Sequence, residues 1–84
     1  MRLDSGLEQQ LYWRCRRGML ELDIMLQGFF QKDYNRLDET GKKAFIRLLD
    51  LPDAVLLELL FCRTVSSDQE IDRVIKQIRA VTTH

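Results

Sequence analysis

The sequence predicts an all-α fold, a single domain of five helices packed as a small bundle. Apolar residues recur at intervals of three and four along nearly the whole 84-residue chain. That spacing lines one face of a helix. No run combines β-branched residues with strict apolar–polar alternation, so strands are not expected. Residues that favour helix starts (Ser5, Asp38, Pro52 and Ser67) stand where the pattern begins or restarts.

The first helix is expected from about Ser5 to Arg16. Ser5 and Glu8 have the spacing of a capping box, in which each side chain satisfies the other residue's backbone N–H. Leu7, Leu11 and Cys15 form its apolar stripe, with Tyr12 beside them. Trp13 lies off that stripe, either as a second packing face or as a surface anchor. Gly18 then breaks the pattern. Glycine at such a point marks a positive φ or a close backbone approach. A second helix is expected over Met19 to Asp33, with Met19, Leu20, Leu22, Ile24, Met25, Leu26, Phe29 and Phe30 as its apolar residues. These are too many for one narrow stripe, which predicts a central helix contacted on two sides.

Tyr34 to Leu37 reads as a connector. Asp38 is a good N-cap, and Glu39 falls in the first turn, where the helix dipole favours negative charge. The third helix runs to about Asp50 and buries Ala44, Phe45, Leu48 and Leu49. Pro52 suits the first turn of a fourth helix ending near Cys62, because its missing N–H has no partner there in any case. Val55, Leu56, Leu59 and Leu60 are its expected core residues. Ser67 and Glu70 form a second capping-box pair. The last helix has the cleanest periodicity: Ile71, Val74, Ile75, Ile78 and Val81. Its acidic residues lead and its basic residues trail, the order the dipole prefers. Such a stripe more often packs on its own bundle than on a partner.

Size and charge exclude several function classes. A chain this short buries roughly 60–65% of its unfolded surface, enough for one modest core but not for a core plus a deep cleft. Thirteen basic and thirteen acidic side chains give zero net charge. Nucleic-acid binders usually carry a basic excess, so that class is disfavoured. Cys15 and Cys62 are the two cysteines, with no C-x-x-C pair, and the one histidine is His84. A zinc site, which needs about four ligands, is therefore not expected, and reduced buried thiols are. No secretory signal is visible, and the apolar run from Val55 to Phe61 is far shorter than the roughly 20 residues a membrane span requires. The expected location is the cytoplasm. No phosphate loop appears, and neither cysteine has an interior histidine to activate it, so the chain is not expected to be an enzyme.

What remains is the segment Arg14 to Asp23. Arg14, Arg16 and Arg17 crowd against Gly18, and Glu21 and Asp23 follow. The arginines admit three readings: a dipole-stabilised helix end, a phosphate contact, or a protein-binding site, since the planar guanidinium suits carboxylates and recurs at interface hot spots. Glu21 by itself needs no role beyond the first turn of a helix. Glu21 and Asp23, two apart, diverge on a helix and do not form a catalytic acid pair.

Arg17-Gly18-Met19-Leu20-Glu21 resembles the R-G-x-x-E signature of the succinate dehydrogenase FAD assembly factors, the SdhE-like family of bacteria with mitochondrial counterparts. Trp13 upstream, Phe29-Phe30 downstream, the block Phe45 to Asp50, and Asp53 with Leu56 to Leu60 extend the resemblance over about residues 10 to 62. One departure is Leu59, where many bacterial relatives carry tryptophan. The resemblance implies a non-enzymatic assembly factor that binds the flavoprotein subunit of succinate dehydrogenase, and in bacteria that of fumarate reductase, and promotes covalent attachment of FAD to it. The modified histidine belongs to the partner, and the factor holds no cofactor or metal of its own. Arg17, Gly18 and Glu21 are then the partner-binding signature positions, with Arg16, Met19 and Asp23 as their neighbours. Some relatives have been labelled antitoxins of toxin–antitoxin pairs, which is the alternative function.

Overall fold

The strong periodicities become helices. The structure, a computed structural model, describes residues 4–61 and 64–82, with the side chains at positions 4, 5, 7 and 82 outside the described set. Among these residues five α-helices follow one another without a strand: α1 (Asp4–Arg14), α2 (Leu20–Asp33), α3 (Glu39–Leu49), α4 (Asp53–Phe61) and α5 (Gln69–Thr82). A 3₁₀ turn at Tyr34–Arg36 links α2 to α3. The fold class is the one expected.

Helix α5 makes its main contacts with α2, α3 and α4, so it is the helix around which the others gather. Its residues Ile71, Val74, Ile75 and Ile78 are buried against Ala44, Phe45, Leu48 and Leu49 of α3, Leu22, Leu26 and Phe29 of α2, and Leu56, Leu59 and Leu60 of α4. Leu11 and Cys15 close the core from the α1 side. An aromatic cluster fills the space between α2 and α3. The Phe45 ring lies 5.7 Å from Phe29, 6.1 Å from Phe30 and 5.5 Å from Tyr34, centroid to centroid. Leu59 is buried on the core face of α4.

Two expectations about the apolar faces need correction. Helix α2 does meet both α1 and α5, but its residues Leu20 and Ile24 are 72% and 60% exposed. Val55 also faces outward and is not part of the α4 core face. Periodicity identifies which residues share a face but not whether another helix arrives to cover it.

The helix starts follow the expected chemistry in one case and depart from it in another. Asp38 caps α3, its Oδ1 accepting the Gly41 N–H at 2.8 Å. At α5 the cap is Asp68, not Ser67. Its Oδ1 accepts the N–H groups of Glu70 at 3.0 Å and Ile71 at 3.2 Å. Glu70 does not reach back as a capping box requires; its Oε1 accepts instead from Arg47 of α3 at 2.9 Å. A carboxylate outcompetes a hydroxyl for the positive helix end, and Arg47 adds a second reason, donating to Asp68 Oδ2 at 3.1 Å. The Ser5–Glu8 pair lies outside the described side chains. Pro52 stands just before α4, not within it, its C=O accepting the Leu56 N–H at 3.0 Å.

The Asp68 cap has a pH signature. Its carboxyl is held below the usual carboxylate range, first by the Ile71 amide and then by the Arg47 guanidinium, with desolvation acting against them. A lowered native value stabilises the fold above the ordinary carboxylate range, and the contribution is lost as pH falls through the native value. Asp68→Asn, which can still cap, is expected to melt with a smaller drop than wild type between about pH 6 and about pH 3. Thermal unfolding followed by circular dichroism at the two pH values checks it. Equal drops in both proteins would count against the assignment.

Candidate functional site

The segment between α1 and α2 is short and bent back on itself. Helix α1 stops at Arg14, two residues earlier than its apolar pattern suggests. The Arg16 N–H turns back to the Trp13 C=O at 3.0 Å, a tightened last turn. Gly18 has φ +83°. A Cβ built on it meets no other atom within 4 Å. Glycine is therefore favoured at this position by backbone conformation, while the space beside it is open.

Two carboxylates and a run of carbonyls hold Arg17 from both sides. Its main-chain N–H donates to Asp23 Oδ1 at 2.6 Å. The Asp23 N–H donates in turn to the Met19 C=O at 2.8 Å, so the turn is laced onto the first turn of α2. The guanidinium reaches across the fold. Its Nε donates to Asp53 Oδ1 at 2.8 Å, one Nη to the Leu49 C=O at 2.8 Å and the Arg14 C=O at 3.3 Å, and the other Nη to the Leu51 C=O at 2.7 Å. Arg17 thus meets the last residues of α1 and α3, where carbonyls lack helical partners, and the first residue of α4. The side chain is only 16% exposed. A second pair lies alongside: Arg14 donates to Asp50, on the other flank of the same α3–α4 turn.

Arg17 and Asp23 are therefore committed inside the molecule. The guanidinium of Arg17 is occupied by internal acceptors. Met19 is half-buried, packed against the core. Arg16, Gly18 and Glu21 are exposed. Neither the Arg16 nor the Glu21 side chain has an ion-pair or hydrogen-bond partner among the described residues. Leu20 and Ile24 share their face of α2, one turn apart, and Trp13 at the end of α1 is also exposed. The outer surface of the corner thus holds a cation and an anion without partners among the described residues, a glycine whose Cβ position is open, and apolar side chains.

The interior of the corner is chemically quiet. Burial pushes the Cys15 thiol up to about 12, with the charges of Arg17 and Arg14 pulling weakly the other way. A thiol that stays protonated is a packing group and not a nucleophile. Cys62 and His84 lie outside the described residues. Among the described residues no three His, Cys, Asp or Glu side chains gather as a metal site would require, and no helix is long and apolar enough to cross a membrane. An open groove of about 490 Å³ lies between α2, α3 and α5, over Phe29, Leu37 and Val74, and none of the six predicted site residues lines it.

Sequence reasoning missed Asp50 and Asp53 as members of this assembly. One signal was present: Arg14 and Arg17 are three apart, and so are Asp50 and Asp53. A matched spacing shows its meaning only once the two segments are known to be adjacent.

Comparison with known proteins gives one consistent result. The sequence profile of the family described as "flavinator of succinate dehydrogenase" matches residues 9–82. Three of the relatives described as "FAD assembly factor SdhE" show the extent of the similarity. The one from Coxiella burnetii is 35% identical, over 89% of this chain and 92% of its own length. The one from Pectobacterium atrosepticum is 39% identical, over 94% of this chain and 88% of its own. The one from Mannheimia succiniciproducens is 42% identical, over 82% and 80%.

Proposed function

We propose, because this chain belongs to the succinate dehydrogenase flavinator family of FAD assembly factors, that it binds the flavoprotein subunit of succinate dehydrogenase and promotes covalent attachment of FAD to that subunit. The observation that carries the reading is the division of the signature segment. Arg17 and Asp23 anchor it from within, while Arg16, Gly18 and Glu21 are left outward. A surface held this firmly costs little ordering entropy when it docks. The bland alternative, a solvated helix end, does not require a guanidinium tied to three other segments.

The chemistry belongs to the client. Flavinylation requires the client's histidine to sit against the flavin ring while negative charge develops on the isoalloxazine. A helper that stabilises the client conformation in which these groups meet lowers the barrier by pre-organisation, with no catalytic group of its own. FAD is cargo for the client and not a cofactor of this chain. Arg16 and Glu21 supply charges for client groups of opposite sign, and Gly18 lets the client backbone approach. The fumarate reductase flavoprotein is a second client under the same reading.

Substitution at Gly18 tests this. Gly18→Arg is expected to keep the helical fold, since a Cβ at this position meets no other atom within 4 Å, at a cost of about 1–2 kcal/mol for a non-glycine residue at positive φ. It is expected to lose client binding and covalent FAD incorporation. Gly18→Asn, which tolerates positive φ better, separates backbone conformation from bulk. Captured flavoprotein subunit is scored for covalent flavin by in-gel fluorescence. Wild-type levels of covalent flavin with a folded Gly18→Arg protein would refute the proposal.

A further inference from the structure

We propose that Asp53 is a positioning residue for client docking, acting through Arg17 on the Gly18 turn. This rests on the function proposed above. Three of the four acceptors around the Arg17 guanidinium are main-chain carbonyls, those of Arg14, Leu49 and Leu51. Carbonyls are present whatever the side chains. Asp53 is the one side-chain acceptor, and it takes the Nε–H at 2.8 Å. The Nε contact and the Nη contacts together set the rotation of the guanidinium plane about its stem, and the Asp53 contact is the one that a side-chain substitution removes. Asp53 is also the charged member, neutralising a cation that is mostly withdrawn from water.

The consequence reaches the docking surface in two steps. The guanidinium fixes the Arg17 side chain against the α3–α4 turn, and the Arg17 main chain, through its N–H to Asp23, fixes the start of α2. Gly18 lies between these two anchors, with Arg16 before it and Glu21 after it. Loosening the side-chain anchor lets the turn rotate about the flexible glycine. Arg16 and Glu21 then cease to present a fixed separation, and the apparent affinity falls by the fraction of time the competent arrangement is populated.

A plainer role for Asp53 is to favour the start of α4 through the helix dipole, as any small acidic or hydroxyl residue there would. Three variants distinguish the two. Asp53→Asn keeps an oxygen at the position of Oδ1. Asp53→Ser suits a helix start but is too short to reach Arg17. Asp53→Ala does neither. Covalent flavin incorporation into the apo flavoprotein subunit of succinate dehydrogenase, with excess FAD, is measured against the concentration of each folded variant. Asp53→Ala and Asp53→Ser are expected to raise the half-saturating concentration about tenfold, with the plateau rate changed less than about twofold. Asp53→Asn is expected to stay within about threefold of wild type. In ¹⁵N-labelled protein alone, the Gly18 amide signal is expected to shift in the alanine and serine variants and much less in the asparagine variant.

The role is overturned if Asp53→Ala half-saturates at the wild-type concentration, or if serine rescues as well as asparagine. Wild-type protein that leaves flavin incorporation unchanged overturns the proposed function and this role with it. Wild-type stimulation matched by Asp53→Ala overturns the positioning role alone.

Discussion

Arg17→Ala is expected to destabilise the fold by about 2–4 kcal/mol. The substitution removes four hydrogen bonds at once. It leaves the Leu49 and Leu51 carbonyls without their donor and the Asp53 carboxylate without its cation. Losing a partner costs roughly 1–3 kcal/mol for each group that stays out of water. Water can enter part of this site, since the Asp53 side chain is 43% exposed, so the sum falls well short of four full penalties. For a domain of this size each kcal/mol moves the melting midpoint by about 4–8 °C, so a drop of about 10–25 °C is expected. Arg17→Lys is expected to recover less than half of it, because an ammonium cannot reproduce a planar fork spread over separate acceptors. Thermal unfolding of the three proteins checks this. A drop under about 3 °C for the alanine variant would show that the clamp adds little.

Phe45→Ala is expected to be more severe, at about 3–5 kcal/mol. Phe45 is fully buried, and its ring is the shared neighbour of Phe29, Phe30 and Tyr34. Phe29 and Phe30 sit on α2, which α5 also holds, so they cannot collapse far into the space left behind. The cavity term therefore remains largely uncompensated. A domain this small has about 5–10 kcal/mol in total, so roughly half of its stability is expected to be lost. Urea titration measures the loss. Leu20→Ser is the matched control: it removes a large apolar side chain from an exposed position and is expected to change stability by less than about 0.5 kcal/mol. Comparable losses in the two variants would mean that burial does not decide the cost.

The two variants probe different things. Phe45 carries the fold, which any five-helix bundle needs. Arg17 carries the attachment of the α1–α2 turn to the α3–α4 turn. Both losses are expected to be read out as global stability, the first through the core and the second through the joint between the two turns.

The amino-acid sequence by itself determined the helical class, the core faces of α3 and α5, the Asp38 cap and the existence of an unusual corner at Gly18. These are local properties. A helix face is set by residues three and four apart, a cap by residues two or three apart, and a positive φ by the absence of one side chain. The tertiary structure decided what those local rules cannot reach. It left Leu20, Ile24 and Val55 uncovered, because no other helix arrives on their side. It placed Asp68 in preference to Ser67 at the start of α5, because Arg47 of α3 stands beside that carboxylate. It also sorted the signature segment into an inner pair, Arg17 and Asp23, and an outer set, Arg16, Gly18 and Glu21. The Arg17 acceptors at Leu49, Leu51 and Asp53 lie 32 to 36 residues further along the chain. No periodicity links positions so far apart. Only the packing that brings the α3–α4 turn beneath the α1–α2 turn makes them partners.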